Sequence, residues 1–130
     1  MPRMTIGELA RKAGVGVETV RYYQRRGLFP EPPRQPRSTR EYSLEALELL
    51  RFIRRARGLG FTIKEIEQLL VLRRSRKDSN GLVAVLTGKA ADLERTVRET
   101  QAVIGVLNEM AVKCEILAGH ERWSIFETDD

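Results

Sequence analysis

Apolar residues recur at helical spacing in four short stretches, each announced by a start or stop signal. Ile6, Leu9, Ala10 and Ala13 form the first stripe, and Thr5 with Glu8 has the spacing of a capping box that opens a helix. Gly14 and Gly16 bracket Val15 where the chain must turn, and a second helix then carries Val20 and Tyr23 inward. Ser43 is a candidate cap for a third helix bearing Leu44, Leu47, Leu50, Ile53 and Ala56, which ends near Gly58 to Gly60. Thr62 and Glu65 repeat the capping-box spacing ahead of Ile63, Ile66, Leu69 and Leu70. The fold class expected is therefore mainly α, with four short helices sharing one small core.

Two segments break this pattern. Pro30 to Pro36 contains four prolines, which fix the backbone and remove amide donors, so it reads as an extended loop. Followed by Arg37 and Arg40, it has the character of a basic wing or of a plain solvated loop. Arg73 to Asn80 has no apolar residue and reads as a linker. Beyond it, Leu86, Ala90, Leu93, Val97, Thr100, Ile104, Leu107, Ala111 and Cys114 fall alternately four and three apart, a heptad seam interrupted by Thr100. The domains expected are a head over 1–72, a linker over 73–80, a long helix over 81–118 and a tail over 119–130. A helix of that length spans roughly 57 Å at the standard rise, so its stripe calls for a partner helix. An antiparallel homodimeric coiled coil supplies one; folding back onto the N-terminal core is the alternative.

Charge adds a direction to this organisation. Residues 1–77 hold 18 Lys and Arg against 8 acids, and residues 78–130 hold 5 against 10, which gives +10 and −5 and sums to the net +5. The N-terminal half is thus suited to a polyanion, because lysine and arginine displace condensed counterions from phosphates. The outer face of the second helix is left with Thr19, Arg21, Tyr22 and Arg25, groups that can reach base edges and phosphates from a major groove. That is the makeup of a helix-turn-helix reading double-stranded DNA, with Arg37 and Arg40 of the wing as further contacts. An ordinary helical hairpin with solvated arginines has the same local sequence.

Other classes lose ground on composition. One histidine, one cysteine and no phosphate-cradling glycine loop leave no arrangement of nucleophile and base, so no enzyme is expected. No apolar run approaches transmembrane length, so no membrane partner is expected. Absence of a signal peptide and a lone Cys114 make the cytoplasm the expected compartment.

The segments TIGELARKAGVGVETVRYYQRRGL and REYSLEALELLRFIRRARGLGFTIKEIEQLL resemble the DNA-binding region of the MerR family of bacterial transcription regulators. The RYY of the second helix, the RxYS of the wing and the LGFTIKEI turn stand in the order and spacing of that family, over Thr5 to Leu70. The resemblance implies a winged helix-turn-helix head, a second helical pair and a long antiparallel dimerisation helix. It also implies a homodimer on a palindromic promoter element that works with bacterial RNA polymerase and controls transcription by distorting spacer DNA. On the matching positions, Arg21, Tyr22 and Arg40 would touch DNA, and Tyr23 and Tyr42 would support the fold. The chain departs from the family at Thr39, where a tyrosine is frequent, which shortens or removes a phosphate contact. A DNA-bending architectural or recombination-accessory protein without an effector is the rival reading.

The effector is less determined. The resemblance is to the short, metal-sensing branch, whose ions sit in a loop after the dimerisation helix on cysteines from that loop and one from the partner's helix start. Here Cys114 falls at the first loop position, Ser79 stands at the helix start and Trp123 at the later loop position, so a soft-metal site of several thiolates is missing. Three readings stay open. Cys114 and His120, near Glu115 and Glu121, can offer mixed ligands to a zinc-like ion. Cys114 can be a redox or electrophile sensor, or a small apolar residue packing in the seam. Trp123, Ile125 and Phe126 form either a hydrophobic tail or the wall of a small organic-ligand pocket.

Overall fold

The computed structural model describes residues 3–32, 41–76 and 79–127. Among them the secondary structure is helical: α1 Ile6–Ala13, α2 Val17–Arg25, α3 Leu44–Gly58, α4 Ile63–Ser75, α5 Ser79–Ile116 and a closing 3-10 turn, Gly119–Phe126. The only extended pairing described is a single antiparallel bridge between Met4 and Tyr42. Two compact units divide the chain at Leu82 and Val83.

The start signals read from the sequence act as expected. Thr5 Oγ1 accepts from the Glu8 amide at 3.2 Å and the Glu8 carboxylate accepts from the Thr5 amide at 3.3 Å, so two otherwise orphaned donors are satisfied. The same reciprocal pair closes between Thr62 and Glu65 at 3.1 and 2.8 Å. Ser43 Oγ accepts from the Ala46 amide at 3.2 Å. Between α1 and α2 the chain turns at Gly14, whose φ of 75° lies in the left-handed region open to glycine. An added Cβ there would also meet the Arg54 guanidinium at 3.2 Å.

The first unit owes its core to the inward stripes. Leu9, Val20, Leu50, Ile53 and Ile66 are fully enclosed, and each contributes on the order of 1.5–3 kcal/mol by leaving water. α1 packs on both α2 and α3, and α3 on α4. The stripes are narrower than the sequence suggests: Ile6 and Ile63 are half-buried and Leu44 is exposed, since first-turn residues project past the edge of the packed layer.

Three boundaries differ from expectation. The segment 73–80 is not a linker throughout, because α4 runs to Ser75 and α5 starts at Ser79. The Arg73 guanidinium lies over the Phe52 ring at 5.3 Å, which ties this polar turn to α3. The break comes at Arg76, with φ at 52°. α5 begins and ends two residues earlier than expected, and the tail forms a 3-10 turn.

In the second unit, the seam residues Leu86, Leu93, Val97, Ile104 and Leu107 are exposed along a helix of 38 residues. None of the described helices is long and apolar enough to cross a membrane.

Gly14→Ala is expected to lose about 1–2 kcal/mol through its left-handed backbone, read by urea unfolding of the full chain; an unchanged midpoint would contradict the strained-turn account. Glu8 is held below the ordinary carboxylate range, first by the Thr5 backbone amide and then by the Thr5 hydroxyl. A depressed folded-state pKa contributes stability above the unfolded value that is lost as pH falls through the folded one. A carboxyl NMR titration should therefore place the Glu8 midpoint below that of a free glutamate, and Thr5→Val should move it upward.

Candidate nucleic-acid interface

The inner face of α2 fixes what its outer face can do. Val20 and Tyr23 are buried, and Leu28 and Phe29 follow them into the core. With the helix pinned on that side, successive residues turn by about 100°, so Arg21, Tyr22 and Arg25 stand exposed. Thr19 is half-buried, on the flank beside Val20. The exposed outer face of α2 is therefore Arg21, Tyr22 and Arg25, with Thr19 at its edge.

Arg21 is held by a weak, exposed ion pair. Its Nη1 lies 3.4 Å from the Glu18 carboxylate one turn earlier, and both side chains are exposed. Exposed pairs of this kind contribute little, so the guanidinium is free to leave Glu18 at small cost. Tyr22, at 40% exposure, tilts against the Tyr23 ring with 5.9 Å between centroids, which restrains an otherwise free side chain.

Sequence inspection missed Gln24. Its Nε2 donates to the Tyr42 hydroxyl at 2.8 Å and to the Pro30 carbonyl at 3.3 Å. Tyr42 is buried, stacks on Phe29 with centroids 6.0 Å apart, and exchanges backbone hydrogen bonds with Met4 at 2.8 and 3.0 Å. Both ends of the proline-rich arm are thus fastened to α2. Arg37 and Arg40, the expected wing contacts, and Thr39 lie outside the described residues. A polar residue between two arginine-rich positions carries no sequence signal for such a tie.

A second cationic region adjoins the turn between α1 and α2. Arg51 Nη2 donates to the Lys12 carbonyl at 3.4 Å, and the Arg54 guanidinium packs against Gly14. With exposed Arg11 and Lys12 they surround the turn with positive charge. α3 therefore brings its own cations to the α1–α2 turn, a placement its periodicity did not reveal.

The expected metal residues do not assemble a site within the chain. The Cys114 thiol is half-buried and donates to the Arg122 carbonyl at 3.8 Å. His120 is exposed on the 3-10 turn, and Trp123 is 71% exposed, stacked on Phe126. Among the described residues no three of His, Cys, Asp or Glu gather closely enough to hold an ion. Within a single chain, one thiol and a solvated imidazole are an incomplete donor set for a resident metal. Ser79 supplies no thiolate, whatever its placement.

Comparison with known proteins identifies the family. Residues 4–71 match the MerR HTH family regulatory protein model, and residues 47–110 match the MerR DNA-binding model. A mercuric resistance operon regulatory protein of Bacillus cereus is 37% identical over 113 residues, 86% of either chain. The transcription regulator PbrR691 of Ralstonia metallidurans CH34, solved in complex with lead(II), has 38% identity and a TM-score of 0.73 over 83% of this chain and 84% of that one. MerR of Bacillus megaterium MB1, solved with mercury(II), has 32% identity and a TM-score of 0.67 over 85% and 86%. With its exposed arginine and tyrosine face on a packed helix-turn-helix and its match to both models, the chain belongs to the MerR family of DNA-binding transcription regulators.

Proposed function

We propose that this regulator binds a two-fold symmetric promoter element as a homodimer and controls transcription by distorting the DNA between the polymerase contact sites. The observation that carries this reading is the pairing of an outward-facing α2 with the uncovered seam of α5. Five large apolar side chains along one helix stripe are costly to leave in water, and a second α5 running antiparallel would cover them. Closed two-fold pairing presents two identical heads, which matches an inverted repeat. Arg21, Tyr22 and Arg25 would read or grip one half-site, joined by Arg37 and Arg40 from the arm. Arg51, Arg54 and Lys12 would neutralise neighbouring phosphates. Bacterial RNA polymerase would be the partner on the same promoter, and the cytoplasm the compartment.

The relatives solved with lead(II) and mercury(II) make metal response the natural comparison. The donor set here supports no such site in the chain itself, so we assign the effector no metal-bound step.

Arg21→Ala should lower affinity for the operator upstream of its own gene about tenfold or more, by loss of 1–3 kcal/mol at a base or phosphate contact. Fluorescence anisotropy on that duplex and on random sequence measures it. Unaltered operator affinity, with helicity preserved, would remove Arg21 from the reading surface. For the seam, the double substitution Leu93→Glu with Ile104→Glu should convert a dimer to a monomer in sedimentation equilibrium and abolish operator binding. A monomeric parent chain at tens of micromolar would defeat the homodimer.

A further inference from the structure

The one acid of α2 stands on the exposed side of that helix, where the phosphates of a duplex would repel it. The helix VETVRYYQR sets Glu18 one turn before Arg21 and two turns before Arg25, and the Glu18 side chain is 81% exposed. At about 100° per residue, Glu18, Arg21, Tyr22 and Arg25 share an arc of roughly 100°. Val20 and Tyr23 are the buried pair of this helix, and Glu18 points within roughly 10° of the direction opposite their midpoint. Thr19 lies on the flank instead. A first-turn carboxylate favours any helix by complementing its N-terminal partial charge, but that benefit is available from every side of the turn. Here the carboxylate takes the outermost side. Glu18 is also the second residue after the Gly16 cap, and the first turn of a recognition helix is the part that reaches base edges.

Phosphate oxygens only accept hydrogen bonds, so a carboxylate on this face finds no partner along a DNA backbone. In the major groove the donors are the amino groups of cytosine N4 and adenine N6. Arg21 decides between them. Its Nη1 lies 3.4 Å from Glu18 Oε1, and a guanidinium carries five N–H donors, so the rest of the fork stays available. Guanine presents two acceptors, N7 and O6, and the cytosine paired with it presents the N4 donor. The edge of a G·C pair thus runs acceptor, acceptor, donor. Arg21 and Glu18 together supply donor, donor, acceptor. Adenine places its donor directly beside a single acceptor, which leaves the fork half used.

We propose that Glu18 is a specificity-determining residue, its carboxylate accepting from cytosine N4 while Arg21 donates to the guanine of the same base pair. The inference rests on the regulator reading above. Weak in water, the Glu18–Arg21 pair re-forms around the base pair that satisfies both members. On other sequences the carboxylate faces acceptors and phosphates alone, so Glu18 also weakens binding to non-operator DNA.

Fluorescence anisotropy of the full-length protein, at one salt concentration, would compare the operator upstream of its own gene, each symmetric single-pair substitution of it, and random duplex. In the parent chain one half-site position should prefer G·C. Glu18→Ala should lower the ratio of operator to random affinity about tenfold, flatten the preference at that position alone, and tighten binding to random duplex. Glu18→Gln, whose amide oxygen still accepts from N4, should share the tighter random binding and keep the G·C preference. Circular dichroism checks the helicity of both variants at this exposed position, and a carboxylate serving only the helix end would leave the base profile as it is. No G·C-preferring position in the parent, an unaltered profile in Glu18→Ala, flattening spread evenly over all positions, or loss of the preference in Glu18→Gln as well would each overturn the proposal. A parent chain that binds operator and random duplex alike would remove the regulator reading itself, a result distinct from an unaltered profile in Glu18→Ala.

Discussion

Burial of Val20 and Tyr23 is the constraint on which the exposed face of α2 depends. A helix of nine residues has little stability alone, and its direction in space is set by the side it hides. Once those two side chains enter the core with Leu9 and Leu50, Arg21, Tyr22 and Arg25 are left on the exposed face. Gln24 then links this helix to Tyr42, and Tyr42 links the returning chain to Met4. The segment that leaves α2 and the one that enters α3 are consequently anchored at a common point, which gives the proline-rich arm a fixed base.

The two halves divide the physical work. In the first unit, apolar residues find partners within the chain and cations remain outside, a surface suited to a duplex. In the second, a long helix presents apolar residues with no cover among the described residues of its unit. Under the proposed function, this imbalance assigns reading and pairing to separate elements. Regulation would then couple them through deformation of the bound DNA, at a cost of a few kcal/mol for bends of tens of degrees.

The C-terminal turn illustrates how a change of residue type alters the chemistry open to a site. Trp123 brings a ring that stacks on Phe126, and Arg122 brings a guanidinium that closes the end of α5. These contacts hold the turn through packing and hydrogen bonding. Metal coordination would ask for convergent donors, and among the described residues of one chain Cys114 and His120 are joined by no third.

Much of the fold was legible in local signals. Thr5 with Glu8, Ser43, and Thr62 with Glu65 marked helix starts because capping depends on residues three apart, and the inward stripes followed from helical periodicity. Charge asymmetry, the RYY motif and the heptad seam were likewise written in the sequence, since each depends on residue type and spacing alone. Tertiary structure decided what involves distant partners: the Gln24 to Tyr42 tie, Arg51 and Arg54 at the α1–α2 turn, and Arg73 over Phe52, which kept a polar segment helical. It also decided that Thr19 and Leu44 sit at the edges of their packed layers, and that the tail turns back through Arg122 to make a groove. Periodicity gives the face of a helix, but which neighbour covers that face, and how far the cover extends, is settled only when the elements pack.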